Sequence, residues 1–169
     1  MKRDAGILTF HCADDFGAML QAYALKTALV RLGFDTDIIN YCPPALTGWY
    51  WLFRYVPTGN PLRTGLRALR AARANRGAGA WRTHRGRRRS MASFRKRYLA
   101  PRGCPKWFAW QLPACRYRNI VVGSDQIWNP ELTHGLRPAY FGHVGRRPLR
   151  VVAYAASMGT ACLEERHSP

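Results

Sequence analysis

Three short clusters of polar residues carry the groups that could do chemistry in this chain. The richest follows an apolar run: Ile120, Val121 and Val122 lead through Gly123 into Ser124, Asp125 and Gln126, and Asn129 comes just beyond Trp128. A hydroxyl, a carboxylate and two amides in so short a span can hold a polyhydroxylated ligand, and the carboxylate can take a proton from one of its hydroxyls. A strand-to-loop turn needs fewer polar groups than this, which favours the site reading over the plain turn. The second cluster is His11, Cys12, Asp14, Asp15 and Gly17, following Ile7-Leu8-Thr9-Phe10. The third is Ser157, Met158 and Gly159, after Leu149 to Ala156.

The second cluster is not a dinucleotide loop. Such a turn needs closely spaced glycines so that backbone amides can approach a pyrophosphate, and here one glycine stands beside two carboxylates. Carboxylates at a helix start compete for the amides a phosphate would use, so the loop suits hydroxyls better. One of Asp14 and Asp15 is expected to cap the following helix, leaving the other for a sugar or a proton. His11 is a candidate acid or substrate contact because its ordinary pKa lies near neutrality. Neighbours on an extended segment point to opposite sides, so His11 is not expected to activate Cys12.

The elements that must position these groups are legible in the apolar pattern. Ala5 to Phe10 reads as a buried strand; Ala18, Ala22, Leu25, Leu29 and Leu32 mark one face of a helix closed by Gly33; Phe34 to Tyr41 reads as a second strand. This is a β-α-β unit. With the Val121 strand and a third buried strand over Leu149 to Ala156, it predicts an α/β fold: a Rossmann-like, mostly parallel sheet whose polar loops converge on one edge. The chain is expected to form one domain over residues 1–169, with a core of 1–42 and 116–160 and a basic, partly irregular insertion over 43–115.

Within that insertion, Pro61 to Arg76 reads as a basic amphipathic helix with Leu62, Leu66 and Leu69 on one stripe. Gly77-Ala78-Gly79 is expected to interrupt it, Arg85 to Arg89 to form a mobile basic cluster, and a short helix to follow around Met91, Phe94 and Tyr98 up to Pro101. Trp107, Phe108 and Trp110 read as core. The net charge is +18, and its location is informative. From Ile38 to Ser124 there is no acidic residue against eighteen arginines and lysines, while elsewhere nine basic residues offset nine acids. Such a surface attracts polyanions, nucleic acid or an anionic membrane among them; a composition biased towards arginine is the bland alternative.

Five cysteines, Cys12, Cys42, Cys104, Cys115 and Cys162, show no paired short spacing. Neither a disulfide framework nor a metal site is suggested, and reduced thiols in a cytoplasm fit best. The apolar run near the N-terminus is too short for a signal peptide, and nothing approaches a membrane span.

These blocks together resemble the polysaccharide pyruvyl transferase family. The resemblance runs through Gly6 to His11 with Asp14 and Gly17, Leu20 to Leu25, Ile38-Ile39 with Tyr41, Val122 to Pro130, Tyr140-Phe141, and Ala153 to Ser157 with Gly159. It implies transfer of a pyruvyl group from phosphoenolpyruvate to glycan hydroxyls as a ketal, in exopolysaccharide or cell-envelope glycan biosynthesis, by a fold similar to two-domain B-type glycosyltransferases. Asp14, Asp125 and His11 are then the catalytic candidates, and Asp15, Gly17, Gln21, Ser124, Gln126, Asn129 and Ser157 the substrate-binding ones. No cofactor is implied beyond the donor substrate. The implied partners are a glycan acceptor, lipid-linked in one version, an anionic membrane surface for the insertion, and a C-terminal domain or second copy. The implied location is the cytoplasm, at the inner face of the membrane. Asp15-Phe16 departs from the Asn-Tyr pair common in the family. The family's second α/β domain is expected to be missing, leaving an acceptor-binding part inactive alone. The rival expectation is a non-catalytic basic module for nucleic acid or anionic membrane.

Overall fold

A computed structural model describes residues 2–43, 46, 78–112, 116–144 and 150–159, with the backbone alone over 78–85. The predicted helix over Pro61 to Arg76 lies outside the described residues. Among the described residues five strands form a single sheet: β1 (Arg3–Leu8), β2 (Thr36–Tyr41), β3 (Arg102–Lys106), β4 (Tyr117–Asp125) and β5 (Arg150–Ala156). Their order is β3-β2-β1-β4-β5 and every pairing is parallel. This is an α/β, Rossmann-like sheet, and chain order reverses direction between β1 and β4.

Alternation along the central strands divides the core. Ile7, Ile38 and Val121 face one side, where they meet Met19, Ala22 and Leu25 of α1 (Phe16–Arg31) together with Met91 and Leu99. Leu8, Ile39, Ile120 and Val122 face the other, against Phe10, Tyr41, Ile127 and Tyr140. Successive side chains of a strand point to opposite faces, so a run such as Ile38-Ile39 serves two cores at once. Asp15 caps α1, its side chain accepting from the Ala18 amide at 2.9 Å, and Gly33, at φ +86°, lets the chain leave the helix. Leu32, predicted on the buried stripe, is instead 72% exposed because the helix has ended at Arg31.

The insertion holds the main corrections. Arg85 to Arg89, expected to be mobile, belong to a continuous helix α2 (Ala78–Phe94) that runs through Gly79 and Gly86. Burial of Met91 and docking of the following turn against α1 outweigh the weak helix propensity of two glycines. A π-helical turn, Arg95–Leu99, continues α2 and stops at Ala100, before Pro101. Strand β3 was not foreseen: Arg102-Gly103-Cys104-Pro105-Lys106 lacks an apolar pattern, being an edge strand with mostly exposed side chains. Trp107, Phe108 and Trp110, expected in the core, are all exposed. Strand β5 is likewise an edge strand, exposed from Arg150 to Ala155, where the sequence predicted burial. After β4 come two short helical turns, α3 (Pro130–Thr133) and a 3₁₀ turn over Pro138–Phe141, which seats Tyr140 fully in the core. Among the described residues no helix is long and apolar enough to cross a membrane.

Gly123 is required where it stands. Its φ is +114°, and a Cβ there would run into the carbonyl oxygen of Tyr154 on β5. Gly123→Ala is therefore expected to cost at least about 2 kcal/mol and to loosen β5 first. Urea unfolding and amide exchange across Arg150–Ala156 measure both effects; an unchanged midpoint would contradict the close approach.

Candidate functional site

In an open parallel sheet, ligands lie outside the carboxyl ends of the strands where the order reverses, which here is between β1 and β4. A ring of hydrogen bonds bridges that point. The Thr9 hydroxyl donates to the Ser124 carbonyl at 3.2 Å, the Gln21 amide donates to Thr9 Oγ1 at 2.6 Å, and the Ser124 hydroxyl donates to Gln21 Oε1. Helix α1 brings Gln21 over the gap because it starts directly after the β1 loop. Three sequence-separated residues thus define the floor of the edge, and Thr9 is one that sequence reasoning passed over.

Beyond the ring lies the amide and hydroxyl cluster. Asp125 has φ +89°; its Oδ1 accepts from the Gln126 amide at 2.7 Å, and its carbonyl accepts from the Ser157 amide at 3.0 Å. The Ser157 carbonyl in turn accepts from the Trp128 amide at 3.2 Å. Asn129 Nδ2 donates to Gln126 Oε1 at 2.8 Å, while Asn129 Oδ1 caps α3 through the Glu131 amide at 3.0 Å. The Ser157 hydroxyl accepts from the Gly159 amide at 2.9 Å. Gly159, at φ +69°, lies so close to the pair that a Cβ would meet both Gln126 and Asn129. Asp125, Gln126, Asn129 and Ser157 are therefore one cluster, with Gln126 and Ser157 open to solvent.

The loop after β1 is organised differently. The Arg95 guanidinium donates to the carbonyls of His11 at 2.9 Å, Cys12 at 3.2 Å and Ala13 at 3.4 Å, and to Asp14 Oδ1 at 3.1 Å. Arg88 takes Asp14 Oδ2 at 3.2 Å, and Arg87 reaches the Asp14 carbonyl at 3.2 Å. Both Asp14 oxygens are engaged by arginines of α2 and its terminal turn, so Asp14 positions the loop and is a poor candidate for proton transfer. Asp15 is spent on its cap, and Gly17 leaves room for it: a Cβ would stand 3.1 Å from Asp15 Oδ1.

His11 is withdrawn from the edge altogether. It is fully buried, with Nδ1 3.3 Å from the Thr9 carbonyl and Nε2 3.2 Å from Asn40 Oδ1. It does not partner Cys12, as the alternation argument holds, but its Nε2 is 3.7 Å from Cys42 Sγ. Hydrogen bonding from the Cys12 thiol lowers Cys42 from an ordinary 9.0 to about 5; burial opposes this, and His11 assists it. The Cys12 thiol moves the opposite way, well up, through the same hydrogen bond and through burial. Arg95, Cys42 and Asn40 were not singled out from sequence. One signal was present: in a β-α-β unit both strands end at one edge, which sets Cys42, directly after β2, beside the loop that follows β1.

Comparison with protein-family models, curated proteins and solved structures finds no match to this chain.

Two outcomes follow from this geometry. Arg95→Met leaves four acceptors without their donor and is expected to cost about 2–4 kcal/mol, with faster amide exchange from His11 to Asp15 in particular. Alkylation of Cys42, followed by peptide mass mapping, should stay fast until pH falls through about 5. Below that the thiol is protonated and the rate drops; Cys12→Ala removes the donor and moves the midpoint upward. A Cys42 midpoint at the ordinary thiol value in the unmodified protein would refute the pairing.

Proposed function

We propose that the edge formed by β1, β4 and β5 binds the hydroxyl-bearing acceptor of a polysaccharide pyruvyl transferase-like reaction. In this reading a pyruvyl group passes from phosphoenolpyruvate to two hydroxyls of a cell-envelope glycan. The chain is then the N-terminal, acceptor-binding part of a two-domain arrangement similar to B-type glycosyltransferases, working in the cytoplasm at the inner membrane face on a lipid-linked acceptor. The observation that supports it best is the joining of Ser124, Gln21 and Thr9 at the reversal of strand order, with Asp125, Gln126, Asn129 and Ser157 alongside.

The chemistry assigns roles to these groups. Protonation of the enol methylene carbon makes its neighbour electrophilic; one sugar hydroxyl adds there, losing its proton, and a second displaces inorganic phosphate to close the ketal. Asp125 accepts a hydroxyl proton, while Gln126, Asn129 and Ser157 orient the sugar by donating to and accepting from its other hydroxyls. Asp14 and His11, first candidates for proton transfer, act through the loop they hold. The donor's phosphate and carboxylate need cations, which fall to a C-terminal domain or a second copy.

A second reading draws on the face of α2. An exposed groove there is lined by Arg89, Ser90, Ser93, Phe94, Arg97 and Tyr98, with the Arg97 guanidinium 5.3 Å from the centroid of the Tyr98 ring. Cations interleaved with rings suit a polyanion, nucleic acid or anionic membrane, held by a non-catalytic module.

The experiment supplies isotope-labelled phosphoenolpyruvate and a glycan acceptor to the chain, with and without an added C-terminal domain. Weak glycan binding and little or no transfer are expected from the chain alone, and Asp125→Asn is expected to weaken the binding at least about tenfold. Unchanged glycan affinity in that variant would overturn the reading. Affinity for a polyanion that falls steeply with salt, is lost in Arg89→Ala combined with Arg97→Ala, and ignores Asp125→Asn would establish the second reading instead.

A further inference from the structure

The Cys12–Cys42 pair lies off the proposed acceptor site, on the β2 side of β1, and neither thiol has a part in the proposed transfer. Buried free cysteines commonly serve as small hydrophobic fillers. Here the surroundings are polar. Cys42 Sγ faces His11 Nε2 at 3.7 Å and Asn40 Oδ1 at 3.3 Å, and Cys12 Sγ is 3.8 Å from the Tyr41 carbonyl. The Cys12 sulfur thus lies against the carbonyl of the residue directly before Cys42, and the two thiols shift each other's proton affinity in opposite directions. Asn40 cannot turn its amide round without loss, since its Nδ2 donates to the Gly103 carbonyl at 2.7 Å.

This arrangement provides a route for the Cys42 proton. Both ring nitrogens of His11 face oxygens; with the hydrogen on Nδ1, towards the Thr9 carbonyl, Nε2 can receive a proton from Cys42. Once there, the new N–H points to Asn40 Oδ1 at 3.2 Å, the oxygen that the Cys42 thiol occupied before ionising. The proton changes carrier while the acceptor keeps a donor. A filler pair would need neither the imidazole nor the fixed amide.

We propose that Cys42 and Cys12 form a peroxide-oxidised dithiol switch, with Cys42 the attacking thiolate, His11 its base and Cys12 the resolving thiol. The thiolate attacks one oxygen of hydrogen peroxide; the O–O bond breaks, Cys42 becomes a sulfenic acid, and the departing hydroxide takes the proton from His11 to leave as water. Cys12 sulfur then attacks the Cys42 sulfur; the S–O bond breaks, and the hydroxyl leaves as a second water with the Cys12 proton. Two thiols are oxidised to a disulfide and one peroxide is reduced to two waters. The slight exposure of each residue, 8% for Cys12 and 7% for Cys42, suits an oxidant of that size and disfavours a bulky disulfide such as glutathione. Closure ties the loop that Arg95 holds to the end of β2, so oxidation acts on the shape of the edge.

The test uses the intact chain treated with stoichiometric hydrogen peroxide, quenched by alkylation and mapped by peptide mass without reduction. A cross-linked peptide pair containing Cys12 and Cys42, reversed by dithiothreitol, is expected. In Cys12→Ser, a dimedone adduct should accumulate on Cys42, and His11→Gln should slow its formation about 100-fold. Exposed Cys104 is the internal comparison. Oxidation of Cys104 while Cys12 and Cys42 remain fully alkylatable in the unmodified protein would overturn the proposal, and this readout needs no variant to fold.

Discussion

Four acceptors of the loop after β1 turn towards one guanidinium. The carbonyls of His11, Cys12 and Ala13 and the carboxylate of Asp14 all converge on Arg95. A loop leaving a central parallel strand has lost its ladder partners, and buried carbonyls without donors are costly. Arginine meets this need because its planar fork offers several N–H groups in fixed directions, where an ammonium would offer a point charge. The dependence runs outward from there. The direction in which the chain enters α1, the placement of Gln21 over the gap, and the seating of His11 behind the loop all follow from where this guanidinium holds the backbone.

That constraint also gives the positive charge of the insertion an inward use. Arg87, Arg88 and Arg95 reach back to the Asp14 region from α2 and its terminal turn, and Lys26 of α1 answers by donating to the Leu99 carbonyl at 2.7 Å. Each exposed ion pair contributes little by itself. Their value lies in joining an element with poor intrinsic helix propensity to the sheet, through contacts that a purely apolar stripe of Met91 and Leu99 would leave free to rotate. Arg89, Lys96 and Arg97 stay exposed, so the composition alone could not distinguish an architectural role from a polyanion surface.

Legibility from sequence tracked burial on both faces of the sheet. Strands β1, β2 and β4 are apolar on both sides, so their runs announce themselves, and the Gly33 and Asp15 signals bound α1 to within a few residues. The edge strands were misread for the complementary reason. The polar run of β3 gives no periodic signal, while Val151, Val152 and Tyr154 of β5 look buried although they are exposed, because a sequence does not say which strand stands at an edge. At the candidate site, the clustering of Asp125, Gln126, Asn129 and Ser157 was readable from parallel strand ends. The partners of Asp14 and His11 were not. A carboxylate and an imidazole look alike in sequence whether they face solvent or an arginine, and the partners that decide, Arg95 at a distance of 81 residues from Asp14 and Asn40 at 29 from His11, are set by tertiary packing.

One strand borders two different polar groups because its two sides are occupied differently. On its β4 side, β1 is followed by Thr9, whose hydroxyl joins the ring with Gln21 and Ser124 beside open amides and a carboxylate. On its β2 side, the chain two residues later places His11 and Cys12 against Asn40 and Cys42, away from solvent. The Thr9 residue touches both: its side chain belongs to the first group, and its carbonyl lies 3.3 Å from His11 Nδ1 in the second. A polar ligand can be exchanged only where water can follow it, which is why the proposed acceptor site is on the β4 side. A proton is held between sulfur and imidazole best where water does not compete, which is why the proposed thiol switch is on the β2 side. Because Thr9 is shared and Arg95 restrains the backbone between them, a covalent change in the buried group has a short mechanical path to the open one.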